Sequence, residues 1–261
     1  MEINAENFPD ENFRYWVHTY LQDNKFQYVG TDGVLTEEEI ASILEMDVTG
    51  SNIQDMKGIE YFTALKWLSC SNNQLTTLDV SNNTALEKLY CEDNQLTALD
   101  VSNNTALTLL GCGNNQLTAL DVSKNTEMTS LYCYQNQIKG AAMDALVGGL
   151  PTVTDRNLYI IYTENEQNEM TVAQVAAAKA KGWTPCYTTG ETYFWGDLIW
   201  KEYPGKEEFP DGILSMDNGK LTMDNYYDLN GRRFNNGQLK MDNGQLKPGI
   251  YIVNGKKVMV K

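Results

Sequence analysis

The sequence predicts an α/β solenoid of short, β-rich coils with a helical N-terminal cap, a β-α-β C-terminal cap and a β-rich tail. Three observations predict it. The chain repeats itself every 21 residues; each copy spaces its apolar residues with the period of two that marks extended backbone; and both flanks switch to helical spacing. The copies are LKWLSCSNNQLTTLDVSNNTA from residue 65, LEKLYCEDNQLTALDVSNNTA from 86, LTLLGCGNNQLTALDVSKNTE from 107 and MTSLYCYQNQIKG from 128, where the pattern stops. Each copy has an internal echo. Leu65, Leu68, Cys70 and Asn73 are answered by Leu75, Leu78, Val80 and Asn83. Both halves therefore read as extended, which predicts two short strands per coil, one on each face of a flattened solenoid.

A period of about 20 to 29 residues with the pattern L-x-x-L-x-L/C-x-x-N is the signature of leucine-rich repeats. The nested arrangement of two half-repeats resembles the IRREKO class of bacterial leucine-rich repeats, over residues 65 to 138.

Four residue columns follow from the period. Cys70, Cys91, Cys112 and Cys133 fall at an inward position where a small apolar side chain stacks on its copy in the next coil. Strands roughly 4.8 Å apart bring the sulfurs within disulfide reach, but parallel in-register Cβ vectors suit the required dihedral poorly. The expectation is a reduced structural ladder with Cys186 unpaired, and no metal, since thiolate sites want ligands converging from turns. Asn73, Asn94, Asn115 and Asn136, and then Asn83, Asn104 and Asn125, stand where the backbone turns. A buried amide there can satisfy both donors and acceptors. The same repeat accounts for the glycosylation triplets at Asn82 and Asn103. Asp79, Asp100 and Asp121 form an outward row, either a cation-binding ladder or solvated aspartates bonded to nearby Ser and Thr. The second reading is preferred.

Four segments are expected: a helical N-terminal cap at 1–52, the solenoid at 53–140, a C-terminal cap at 141–204 and a low-complexity, β-rich tail at 205–261. In the first, Phe13, Trp16, Val17, Tyr20 and Leu21 share a helix face, and Thr36 with Glu39 makes a capping box. TDGVLTEEE resembles the second half of a calcium-binding EF-hand loop. The early ligand positions hold Tyr28 and Gly30, so no calcium site is expected. His18, the sole histidine, is expected to be partly packed rather than catalytic. In the C-terminal cap, NLYIIYT reads as a strand, MTVAQVAAAKAKG as a helix stopped at Gly182, and WTPCY as a second strand. The succession of ENFPDENF, KGIEYF, the repeats and MTVAQVAAAKAKGW resembles secreted leucine-rich repeat proteins of Bacteroidetes-type bacteria.

Beyond it, Trp183, Tyr187, Tyr193, Phe194, Trp195, Trp200 and Tyr203 crowd a short segment that either seals the last coil or stacks on sugar rings; sealing is preferred. The tail contains near-duplicates, MDNGKLTMDN and NNGQLKMDNGQLK. Its YYDLNGRRF and LKPGIYIVNGKKVMVK resemble the last strands of the type A sorting domain of the Bacteroidetes type IX secretion system. That resemblance implies export to the cell surface.

The formal charge of −15, from 35 acidic and 20 basic residues, argues against nucleic-acid binding, which needs basic patches. No apolar run approaches the length of a membrane span. Residues 1 to 5, MEINA, hold no signal peptide, as expected of a cytoplasmic protein or of a mature secreted one with an added Met. The functional expectation is a monomeric, non-enzymatic recognition module, secreted or at the cell surface, with no cofactor or metal. It would bind a protein ligand in adhesin-like fashion. Leu and Cys take the inward places, so alternation turns Trp67, Lys88, Tyr90, Glu92, Leu109, Gly111, Ser130, Tyr132 and Tyr134 outward on the concave strand face as candidate ligand contacts. A shallow gap is expected between Tyr90 and Tyr132, above Gly111. The alternative is a carbohydrate-binding module using Trp195 and Trp200.

Overall fold

The computed structural model describes residues 1–23, 32–162, 166–190 and 199–205, and in the tail only short strands between 214 and 260; side chains are described at 1–19 and 32–205 within those limits. Two compact units divide at Lys206 and Glu207.

The first unit is built on one eight-stranded sheet in sequential order. Its strands are β1 (Glu45–Asp47), β2 (Trp67–Ser69), β3 (Lys88–Tyr90), β4 (Leu109–Gly111), β5 (Ser130–Tyr132), β6 (Arg156–Tyr162), β7 (Trp183–Thr188) and β8 (Lys201–Glu202). All neighbours are parallel except β7 and β8. The register stacks Met46, Leu68, Leu89, Leu110, Leu131 and Leu158 on the inner side. These residues, the four repeat cysteines and Leu75, Leu96 and Leu117 are fully buried within one continuous core. The five cysteines are free thiols.

Only the first half of each coil is a strand, which corrects the expectation of two. In the second half, the Val80 carbonyl that a ladder would use instead accepts from Asn83 N within its own turn and from Asn104 Nδ2 of the next coil. Side-chain amides have taken over the pairing, so extended geometry is not propagated. The asparagine columns accordingly do different work. In the first column Asn94 Nδ2 donates to the carbonyls of Cys70, Cys91 and Glu92, and Oδ1 accepts from Leu75 N at 3.0 Å. Asn115 and Asn136 repeat this set one and two coils on. In the second column the amide nitrogens of Asn83, Asn104 and Asn125 each donate to two carbonyls, while their buried Oδ1 atoms have no protein partner. The expected satisfaction of both donors and acceptors holds for the first column and not for the second.

Just before the first column stand Asn72, Asp93, Asn114 and Gln135, all with φ between 50° and 55°. Left-handed backbone is strained for most residues and tolerated best by Asn and Asp, which explains why three of the four are of that type. This column was not anticipated.

At the N-terminal end, α1 (Glu11–Asp23) and α2 (Glu37–Ser42) precede the sheet. Phe13, Trp16 and Val17 of α1 are buried. His18, expected to be partly packed, is exposed, because one helical step past Val17 carries it round to the solvent side. Thr36 caps α2, accepting from Glu39 N while Glu39 Oε2 accepts from Thr36 N. At the other end stand α3 (Ala141–Gly149) and α4 (Val172–Ala180), the latter capped by Thr171 with Gln174 and stopped by Gly182 at φ 85°. Trp183 is fully buried and donates through Nε1 to Pro151 O. Two residues outside the repeat finish its hydrogen bonding. Asn168 takes the next place in the asparagine column, accepting from Ile138 N and donating to Cys133 O. Glu166 accepts from the amides of Gln135, Tyr162, Gln167 and Asn168.

In the second unit a five-stranded sheet runs in the order Arg233–Phe234, Tyr226–Tyr227, Gly249–Val253, Lys256–Val260, Leu214–Ser215. Met241–Asp242 and Gln245–Leu246 pair separately.

Candidate binding face

The outer side of the sheet presents its residues in columns set by strand register. One column reads Glu45, Trp67, Lys88, Leu109, Ser130, and the next Asp47, Ser69, Tyr90, Gly111, Tyr132, Tyr159, Cys186. Immediately past the strands, Ser71, Glu92, Gly113 and Tyr134 hold equivalent places in successive coils. The residues expected on this face stand at its register positions with different exposure: Lys88 is exposed, Trp67, Tyr90, Glu92, Leu109, Ser130, Tyr132 and Tyr134 are half-buried, and Gly111, which has no side chain, is covered.

What covers Gly111 is Glu92. The carboxylate leans across the backbone of the following coil, so that a methyl on Gly111 would collide with it, and the Tyr134 ring lies over Gly113 in the same way, 2.7 Å from where a Cβ would stand. The open gap expected between Tyr90 and Tyr132 is thus partly filled by a carboxylate. Burial pushes the Glu92 carboxyl up, against the Ser71 hydroxyl that donates to Oε2 at 2.8 Å. Burial, reinforced by the charge of Glu92, also raises the phenols of Tyr90 and Tyr134. Tyr132 is raised by burial and by the neighbouring phenol of Tyr159.

The rings form two groups. Trp67 and Tyr90 meet edge to face at 6.3 Å. Tyr132 and Tyr159 stack in parallel at 4.1 Å, and Trp200 contacts both Tyr159, at 4.9 Å, and Tyr134, at 5.4 Å, with Tyr162 adjoining Tyr134. Trp200, assigned from sequence to a separate glycan site, therefore joins the strand face. Trp195, with Tyr193 and Phe194, lies outside the described residues. Tyr159 and Tyr162 were missed as site residues. Alternation within NLYIIYT, where Leu158 and Ile160 point inward, was the signal for Tyr159; Tyr162 reaches the face only because the register shifts between Tyr159 and Ile161, which no spacing records.

Beside Trp67 a shallow cleft of about 370 Å³ is lined by Leu44, Glu45, Lys66, Glu87 and Lys88, with Lys66 and Glu87 paired at 2.7 Å. The aspartate row is elsewhere. Oδ1 of Asp79, Asp100 and Asp121 accepts from the amides of Ser81, Ser102 and Ser123, and contacts with those serines hold all three carboxyls below the usual range. That is the solvated, locally bonded arrangement preferred from sequence. Asp79 and Asp100 edge a second cleft of about 570 Å³. Among the described residues no three His, Cys, Asp or Glu side chains converge as metal ligands. In the calcium-loop-like segment, Glu39 is engaged in its capping box and Asp32 accepts from Val34 N.

Residues 63–104 match the family described as Leucine Rich repeats (2 copies). Over 76 residues the chain is 44% identical to Internalin J of Listeria monocytogenes serotype 4b, a match covering 29% of this chain and 8% of that protein. Among solved structures it is similar to the functional domain of InlJ from Listeria monocytogenes, which includes a cysteine ladder. There the TM-score is 0.50 with 33% identity, covering 65% of this chain and 40% of that one. A second structure, the internalin InlF of Listeria monocytogenes, aligns with a TM-score of 0.49 and 22% identity over 70% of this chain and 57% of that one. The chain thus spans only a small part of Internalin J and less than two thirds of either solved chain. Over its repeats the chain is similar to leucine-rich repeat proteins, internalins among them. Among the described residues no helix is long and apolar enough to cross a membrane.

Proposed function

We propose that the chain is a non-enzymatic recognition protein, secreted or displayed at a cell surface, that holds a protein ligand on the tyrosine-rich outer face of its sheet in adhesin-like fashion. One observation carries the reading: Tyr132, Tyr159, Trp200, Tyr134 and Tyr162 form a continuous aromatic surface beside the strands. Tyrosine and tryptophan offer large amphipathic area with few torsions to freeze, and dominate binding hot spots. The backbone beneath them is fixed by in-register pairing, so recognition does not have to order it. The relevant experiment is affinity capture from a host mucosal extract with the full chain as bait, compared with Tyr132→Ala/Trp200→Ala. Ligands retained by the native chain should be lost from the double variant, and undiminished capture by a folded double variant would remove the face from the function.

A second reading is favoured by Trp200, whose ring stands half-exposed beside Tyr159 and Tyr134. Such a ring can stack on a sugar, and binding on a glycan array that is lost with Trp200→Ala would favour a carbohydrate-binding module. For the tail, we propose a sorting role. Antiparallel pairing of Gly249–Val253 with Lys256–Val260 supports it, and deleting residues 228–261 in the native host should reduce surface display.

A further inference from the structure

We infer that the notch over Gly111 receives a positively charged side chain, the guanidinium or ammonium group of a protein partner, held between the Glu92 carboxylate and the rings of Tyr90, Tyr132 and Tyr134. The inference rests on the protein-recognition reading of this face and specifies the chemistry of what docks there.

The geometry begins with an absence of side chain. Gly111 separates Tyr90 from Tyr132 in one column, and Glu92 leans into the space that a Cβ there would fill. A half-buried carboxylate is normally compensated by a cation or by several donors. Here the Ser71 hydroxyl donates to Oε2 and the Glu92 backbone amide adds a second contact, neither of them a cation. Among the described residues no lysine or arginine nitrogen approaches Glu92 within 4.0 Å; the cations that pair do so elsewhere, Lys66 with Glu87 and Lys179 with Glu202. The charge is felt instead by the phenols around it, those of Tyr90, Tyr132 and Tyr134.

A carboxylate without a cation, flanked by electron-rich rings, is the complement of a guanidinium or ammonium group, because the ring faces attract the same charge that the carboxylate neutralises. A neutral sugar hydroxyl could hydrogen-bond the carboxylate but would leave its charge uncompensated. A bare metal ion would not find three converging ligands there among the described residues. Long-range charge agrees. The seven acidic and eight basic residues from Glu207 onward leave residues 1–206 with 28 acidic and 12 basic, a formal charge of −16 on the repeat-bearing unit, a field that draws basic partners.

The test uses acetyl-arginine-N-methylamide and its uncharged citrulline counterpart, each titrated to tens of millimolar into the full chain with isotope-labelled tyrosine rings. Saturable shifts at Tyr90, Tyr132 and Tyr134 are expected for the arginine probe alone, with at least about tenfold weaker binding in E92Q. Equal shifts from citrulline, shifts that persist in E92Q, or no shift with either probe would overturn the cation site. The capture experiment with Tyr132→Ala/Trp200→Ala reads the parent proposal separately, since a protein ligand that needs those rings but ignores E92Q leaves the face intact and removes only this site.

Discussion

Asn94 and Asn104 are the same residue type in the same coil, both buried, and should differ sharply in what they contribute to stability. Replacing Asn94 by Ala removes the acceptor of Leu75 N. Among the described residues no other acceptor serves that amide, and a buried N–H left unmatched costs about 1–3 kcal/mol. The three carbonyls that Asn94 Nδ2 serves each keep another donor: Asn73 Nδ2 on Cys70 O, Asn115 Nδ2 on Cys91 O and Asn72 N on Glu92 O. Their loss adds on the order of 1 kcal/mol in total, for about 2–4 kcal/mol. Asn104→Ala strips donors from Val80 O and Asn83 O, but these retain Asn83 N and Leu86 N. It also deletes a buried oxygen that accepts from no protein donor, so the net loss should be about 1 kcal/mol. Both variants leave a void of the same size, which cancels in the comparison. Urea unfolding followed by far-ultraviolet circular dichroism, read as the midpoint shift at constant slope, should place Asn94→Ala about 2 kcal/mol below Asn104→Ala. Equal losses, or a greater loss for Asn104→Ala, would refute the division of labour between the columns.

Alkylation of the unfolded, unreduced chain should add five groups by intact mass, whereas three or fewer would reveal a disulfide; in the folded chain Cys186, pushed up to about 11 by burial, should react before the ladder thiols, which burial raises further. Gly182→Ala should cost at least about 2 kcal/mol in the same urea assay, because φ is 85° and a methyl would run into the Val153 carbonyl; an unchanged midpoint would show that the turn relaxes. Asp79, Asp100 and Asp121 have folded-state values below the ordinary carboxylate value near 3.8, so the stability they add is complete above that value and lost as pH falls through their folded values. Replacing all three by Asn should flatten the acid limb of the stability curve below about pH 4, and an unaltered limb would remove them as its source. Millimolar calcium should leave the melting temperature unchanged, since Glu39 is committed to its cap, and a rise of several degrees reversed by chelator would restore the calcium reading.

The repeat made the sheet legible before any coordinates. Leu68, Leu89, Leu110 and Leu131 stack in register and the cysteines stack beside them, because a 21-residue period leaves one way to align identical coils. The second strand was misread because period-2 spacing records which side a residue faces, not which group completes its backbone hydrogen bonds; the amides of Asn83, Asn104 and Asn125 do that here. Outward positions on the face were legible from alternation alone. Glu92 folding over Gly111, and Trp200 arriving beside Tyr134 from far along the chain, depend on side-chain packing that no spacing records.

Asn168 and Glu166 give the stack a direction. Each coil leaves a leucine amide and a cysteine carbonyl to be completed by the asparagine of the coil that follows, as Leu75 N and Cys70 O are by Asn94. The debt is passed forward until Asn168 and Glu166 discharge it with side chains that need no further coil. A whole 21-residue unit can therefore be gained or lost between residues 65 and 127 with the asparagine-column hydrogen bonds restored at every junction, since those bonds are the same from coil to coil. Length is then an adjustable property of this molecule, while its last turn is not, and a lineage could lengthen or shorten the outer face without redesigning either end.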